Sequence, residues 1–149
     1  MNPRAFQEGG CLCGQIRYRV YGPITHPAYC HCESCRRASG APLVAWGTVM
    51  RAALIFTKGE LAMASTSPDV ERGYCLCCGS QITYWHRQRG TEIDVTLASL
   101  DNPALVAPQS HIWVADKLPW MEINDGLPQY PGEPGTEAID DRVALSILP

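Results

Sequence analysis

Long apolar runs, an excess of positive charge and sustained helical periodicity are all missing from this 149-residue chain. Its longest apolar stretches, such as Ala41 to Trp46, fall far short of the roughly 20 residues that a membrane-spanning helix requires. Residues Met1 to Gly10 contain no apolar block of the kind found in a secretory leader. Lys and Arg total 12 against 15 Asp and Glu, a net charge of −3, so no broad basic face is expected for nucleic acid or anionic lipid. There is no internal repeat and no low-complexity block. Together these absences point to a cytoplasmic protein without a membrane or nucleic-acid partner, and they leave its oligomeric state unknown.

What is present reads as mainly β, in one domain with few short helical turns. Apolar content is 46%, ordinary for a chain that buries a core. In Gln15 to Tyr21, Ile16, Tyr18 and Val20 alternate with Arg17 and Arg19, the pattern of a half-buried strand. Further strands are expected over Ala41 to Val49, Ile82 to Trp85, Glu92 to Leu97 and His111 to Val114. Leu54 to Thr57 and Leu61 to Ser65 flank Lys58-Gly59-Glu60, which reads as a hairpin turn. Ser34 to Ser39 could form one helical turn stopped by Gly40, and Asp101 to Leu105 another, capped by Asp101 or Asn102. Residues 119–135 carry four prolines and read as a surface loop or arm. Residues 136–149 end in an apolar group that suits either a packed terminal element or a frayed tail.

Eight cysteines dominate the chemistry. In a reducing compartment such a number points to metal ligands rather than disulfides. Cys11 and Cys13 form C-x-C, Cys30, Cys32 and Cys35 form C-x-C-x-x-C, and Cys75, Cys77 and Cys78 contain a C-x-x-C followed by Gly79. Residues i and i+2 of an extended segment share a face, and a C-x-x-C turn closed by glycine lets two thiolates converge. Cys11, Cys13, Cys75 and Cys78 are thus the natural set for a closed, tetrahedral structural zinc. The trio Cys30, Cys32 and Cys35 supplies three ligands, the number that leaves a catalytic zinc one open position. Cys77, His31, His86, His111 or His26 could instead close it.

Four motifs carry a family resemblance. Gly-Gly-Cys-Leu-Cys-Gly (residues 9–14), Cys-His-Cys-Glu-Ser-Cys-Arg-Arg (30–37) and Tyr-Cys-Leu-Cys-Cys-Gly-Ser (74–80) resemble the glutathione-dependent formaldehyde-activating enzymes, as does Ser-His-Ile-Trp-Val-Ala-Asp-Lys-Leu-Pro-Trp at 110–120. The resemblance implies a zinc-binding β-tent, with antiparallel sheets pinned by a structural zinc on Cys11, Cys13, Cys75 and Cys78. It implies a catalytic zinc on Cys30, Cys32 and Cys35, and the label of a carbon–sulfur lyase. The domain would cover residues 8–120, with 121–149 as a C-terminal extension. Cys77 is an extra thiol inside the knuckle that the family pattern does not require.

The chemistry expected from such a site is thiol chemistry. Zinc at the trio would hold an external thiol, such as that of glutathione, as a thiolate. A thiol adduct of formaldehyde, or of another small electrophile, would form or break there. Three thiolates leave Zn²⁺ with a net charge of −1, which weakens it for activating water and disfavours hydrolysis. Arg36 and Arg37 could meet a carboxylate of glutathione, or simply be solvated or paired with Glu33. His31 could move a proton near neutral pH, although its place between two ligands turns it to the opposite face; His111 reads as a hydrogen-bonded, half-buried histidine. Of the four tryptophans, Trp46 is the one to watch for a pocket role, against ordinary core packing. The competing class is a non-enzymatic zinc module for a protein partner, which a fourth protein ligand at the trio would favour. Thiol redox activity at Cys77 or in a C-x-x-C is a third reading.

Overall fold

The computed structural model describes residues 5–133. In chain order its elements are β1 (Phe6–Gly10), β2 (Arg17–Tyr21), β3 (Thr25–Cys30), α1 (Glu33–Ser39), β4 (Val44–Met50), β5 (Leu54–Lys58), β6 (Ala62–Ser67), β7 (Val70–Tyr74), β8 (Gln81–His86), β9 (Glu92–Thr96) and β10 (His111–Ile112). The protein is mainly β, with one short α-helix and several 3-10 turns among the described residues. The terminal segment 136–149 lies outside them. The chain divides into two compact units. One holds the residues up to Pro27 together with Ala45–Ala107; the other holds Ala28–Val44 together with the residues from Pro108 on.

The first unit contains the antiparallel sheet β1-β2-β5 and the antiparallel run β4-β9-β8-β7-β6. The alternation of β2 is realised: Tyr18 and Val20 are fully buried, while Arg17 and Arg19 pair with Asp101 and Glu8 on the wet face. Tyr18 and Val20 join Val49, Leu54, Ile82 and Val95 in the core cluster. Gly9 on β1 lies against the Tyr18 ring, where a Cβ would come within 2.4 Å, so only glycine allows this approach. Trp46 is buried against Tyr84, its ring 6.0 Å away, and is part of the core.

Two local expectations are corrected in this unit. The hairpin across Lys58-Gly59-Glu60 does not form, because β5 pairs with β2 and β6 pairs with β7. Gly59 sits at φ 71° with its missing Cβ 2.3 Å from the Gln15 carbonyl, so the chain packs on another segment there and changes sheet. The turn at Asp101 to Leu105 is a 3-10 turn, Pro103–Leu105, whose cap position Asn102 makes no side-chain bond. Asp101 instead accepts hydrogen bonds from Arg17 (Nη1 to Oδ1, 2.9 Å).

In the second unit β10 pairs with β3 in parallel, His111 beside Tyr29 and Ile112 beside Cys30. β10 is shorter than expected, since Trp113 takes a left-handed backbone (φ 57°) and a 3-10 turn, Val114–Asp116, follows. Helix α1 forms where expected. Cys32 caps its start, its sulfur accepting the Cys35 amide at 3.3 Å, and Gly40 at φ 68° ends it with an amide bond to the Arg36 carbonyl. The proline-rich segment after Pro119 has no helix or strand up to Glu133. It is tied to β10 through His111 N to Pro128 O and Tyr130 N to His111 O, both 2.8 Å.

Candidate functional site

The first cysteine group is built from two tight turns in the first unit. Cys11 and Cys13 lie between β1 and β2, closed by Gly14 at φ 77°; Cys75 and Cys78 lie between β7 and β8, closed by Gly79 at φ 77°. In each turn a glycine amide hydrogen-bonds back to the first cysteine's carbonyl, which folds the segment so that its two thiols converge. The four sulfurs lie within 4.8 Å of one another, with Cys11 to Cys13 at 3.6 Å and Cys13 to Cys75 at 3.8 Å. Tetrahedral zinc, with bonds of about 2.3 Å, sets sulfurs about 3.8 Å apart. Donors that favour thiolates surround the group. The Ile16 amide points at Cys11 Sγ (3.2 Å), and the Ser80 hydroxyl lies 3.1 Å from Cys78 Sγ. Hydrogen bonds from the Ser80 hydroxyl and amide hold Cys78 down at about 5. Burial opposes charge on Cys11, and the Ile16 amide with the neighbouring thiols outweighs it, so this thiol too is lowered. Cys77 is exposed and belongs to neither group.

The second group lies in the second unit, where β3 runs into α1. Cys30 ends the strand, Cys32 caps the helix and Cys35 sits in its first turn, with Cys30 and Cys35 each 4% exposed. Their sulfurs also lie within 4.8 Å of one another. Hydrogen bonds from Cys30 and Cys35 draw Cys32 down to about 2, while hydrogen bonding to Cys32 first, and then to Cys35, pushes Cys30 up. Three sulfurs so close cannot all ionise unless a cation sits among them. The donor set therefore suits a soft divalent metal such as zinc.

Among the described residues no fourth Cys, His, Asp or Glu joins the trio. Both ring nitrogens of His111 are engaged, Nδ1 with His31 Nε2 and Nε2 with Asp125 Oδ2, each at 2.8 Å. His86 Nδ1 accepts the Gln88 amide at 3.3 Å. The Asp125–His111–His31 line is directional. An ionised Asp125 only accepts, so His111 donates from Nε2; with its Nδ1 accepting, His31 donates from Nε2. His31 Nδ1 is left as an acceptor, buried and without a hydrogen-bond partner. Burial, then the neighbouring His111, lowers His31 to about 4.

Of the two arginines after the trio, Arg37 is exposed and pairs with Glu33 along the helix (2.8 Å). Arg36 is half-buried, and its Nε has no hydrogen-bond partner. Two contributors carry no signal in the sequence. Ser80 reads as an ordinary turn residue, and Asp125 stands in a proline-rich loop 14 positions from the histidine it holds.

Comparison with known proteins follows this geometry. A Halomonas elongata protein that carries the name of a glutathione-dependent formaldehyde-activating enzyme is 27% identical over 126 residues, 78% of this chain and 80% of that protein. A Schizosaccharomyces pombe protein named an uncharacterized lyase is 29% identical over 77 residues, 52% of this chain and 56% of its own length. A crystal structure of a Rhodobacter sphaeroides protein matches with a TM-score of 0.54 at 22% identity, covering 63% of this chain and 87% of that one, a likeness of fold. The family model described as "Glutathione-dependent formaldehyde-activating enzyme" matches residues 6–116, a span that takes in both cysteine groups and His111. The chain belongs to the glutathione-dependent formaldehyde-activating enzyme family.

Proposed function

We propose that the protein is a zinc enzyme of the carbon–sulfur lyase type, acting on the adduct between a thiol, glutathione in the first instance, and formaldehyde or another small electrophile. In the forming direction the sulfur bonds to the carbonyl carbon, the carbonyl π pair moves to oxygen, and the thiol proton ends on that oxygen; cleavage is the reverse. The observation that carries this reading is the trio itself: three cysteine sulfurs gathered at the end of β3 and the start of α1, with no fourth ligand group among the described residues. Cys30, Cys32 and Cys35 would hold the catalytic zinc, and Cys11, Cys13, Cys75 and Cys78 the structural one. Zinc in the trio would supply an electrophilic centre that keeps a substrate thiol deprotonated at neutral pH.

The chain's own residues do the rest. The buried Cys30 and Cys35 anchor the trio, and the Cys35 amide bonded to Cys32 Sγ fixes the third sulfur. The Arg36 guanidinium is the better placed of the two to receive a glutathione carboxylate, since Arg37 already pairs with Glu33. A cytoplasmic setting, where thiols stay reduced, goes with this reading. Cobalt substitution tests it. Titrating glutathione into the cobalt-loaded protein should change the sulfur-to-cobalt absorption, and Arg36→Ala should raise the dissociation constant about tenfold without loss of metal. A spectrum that does not respond to glutathione overturns the proposal.

A further inference from the structure

The second unit contains an open cavity of about 650 Å³ that the cysteine trio does not line. Its walls come from four places, one of them His111 on β10. The end of β3 and the segment after α1 supply Tyr29, Pro42 and Leu43, and the loop after Trp120 supplies the residues from Met121 to Asp125. Tyr29 lies stacked on His111, ring centroids 4.9 Å apart, giving the cavity an aromatic surface. Leu43, Met121 and Ile123 add aliphatic surface, and the apolar lining exceeds the polar.

Two acidic side chains stand at this cavity. Glu122 and Asp125 are carboxylates, Asn124 is neutral, and no Lys or Arg lines the cavity. The His111 imidazole faces Asp125 and shares its Nε2 with that carboxylate at 2.8 Å. Lys117 donates its ammonium to the Met121 carbonyl (2.8 Å) and is not part of the wall. The His111 bond, followed by the Leu127 amide, holds Asp125 below the usual carboxylate range. An apolar, aromatic-walled cavity whose charged groups are all negative repels carboxylates and attracts cations.

We propose that this cavity is a binding site for small organic amines, taken as ammonium ions with an aromatic or branched aliphatic body. The body lies along Tyr29, Leu43 and Met121, and the ammonium meets Glu122 and Asp125. None of the three trio cysteines lines the site. It is read at other residues and needs no thiol on the ligand.

The test compares two probes of equal shape and opposite charge, phenethylamine and 3-phenylpropionate, on the full metal-loaded chain. Methyl NMR follows Leu43, Met121 and Ile123. Phenethylamine should shift these methyls in a saturable way and bind at least about tenfold more tightly than 3-phenylpropionate, since each carboxylate favours one probe and disfavours the other. Glu122→Gln should cut that preference about threefold while cobalt and glutathione signals stay unchanged. Asp125→Asn should act in the same direction. Equal affinity for the two probes, or no methyl shift with either, overturns the inference and leaves the proposed thiol reaction standing. A lost glutathione response with intact amine binding does the reverse.

Discussion

Several side chains in this protein are constrained more by a single contact than by their neighbours in sequence. Gly9 is the clearest. A Cβ there would lie 2.4 Å from the Tyr18 ring and 2.7 Å from the Ser99 carbonyl, both parts of the packed interior. Gly9→Ala should cost about 1–3 kcal/mol by forcing that ring aside, seen as a lower urea midpoint with an unchanged slope. Asp101 makes a prediction in pH. Its hydrogen bond from Arg17 lowers its carboxyl pKa, so the pair stabilises the fold above the unfolded value near 4 and ceases to do so as pH falls through the folded value. The two side chains are 35% and 49% exposed, so the contribution is about 0.5 kcal/mol at most. Asp101→Asn should therefore be slightly less stable than the parent at pH 6 and equal to it near pH 2.5. A difference that persists undiminished in acid would assign the loss to something other than this ion pair.

At the scale of elements, the two glycine-closed turns of the first unit decide how much of its strand order survives without metal. They join the β1–β2 connection to the β7–β8 connection, more than 60 positions apart in sequence. Loss of a structural zinc removes on the order of 10 kcal/mol from such a fold. Cys75→Ser should release one metal equivalent and abolish cooperative unfolding. Cys77→Ser, at an exposed sulfur outside both groups, should change stability by less than about 0.5 kcal/mol and keep full metal content. The opposite ranking would transfer the ligand role to Cys77.

The elements also show what could be read from sequence and what could not. Alternation in β2 and the apolar runs of β4, β8 and β9 were legible because each buries a face. β6 was placed, but its pairing was not: Ala62 to Ser67 is small and largely exposed, so no buried face selects a partner, and the turn residues Lys58-Gly59-Glu60 suggest the wrong one. β7 escapes because Glu71, Arg72 and Gly73 lack a strand pattern, although Arg72 is buried and stacks on Tyr84. The parallel pairing of β10 with β3 depends on chain segments 82 positions apart, which no local pattern encodes.

At the scale of the whole molecule, each compact unit carries its own cysteine group. The four-sulfur set lies in the unit that contains the antiparallel sheets, and the three-sulfur set lies in the unit that contains α1 and the histidine line. The grouping of all seven cysteines was legible because spacing constrains thiols that must converge on one ion. The Asp125–His111–His31 line was not, because its acid stands in a loop without periodicity. The proposed sites in the two units would then offer different numbers of sulfurs, four and three. Zinc X-ray absorption on protein loaded with two equivalents reads those counts together. Without thiol the expected average is about 3.5 sulfurs per zinc, with a lighter atom completing the shell, rising to about 4 when glutathione is added. Four sulfurs per zinc before any thiol is added would contradict the open position, and with it the enzymatic role of the trio.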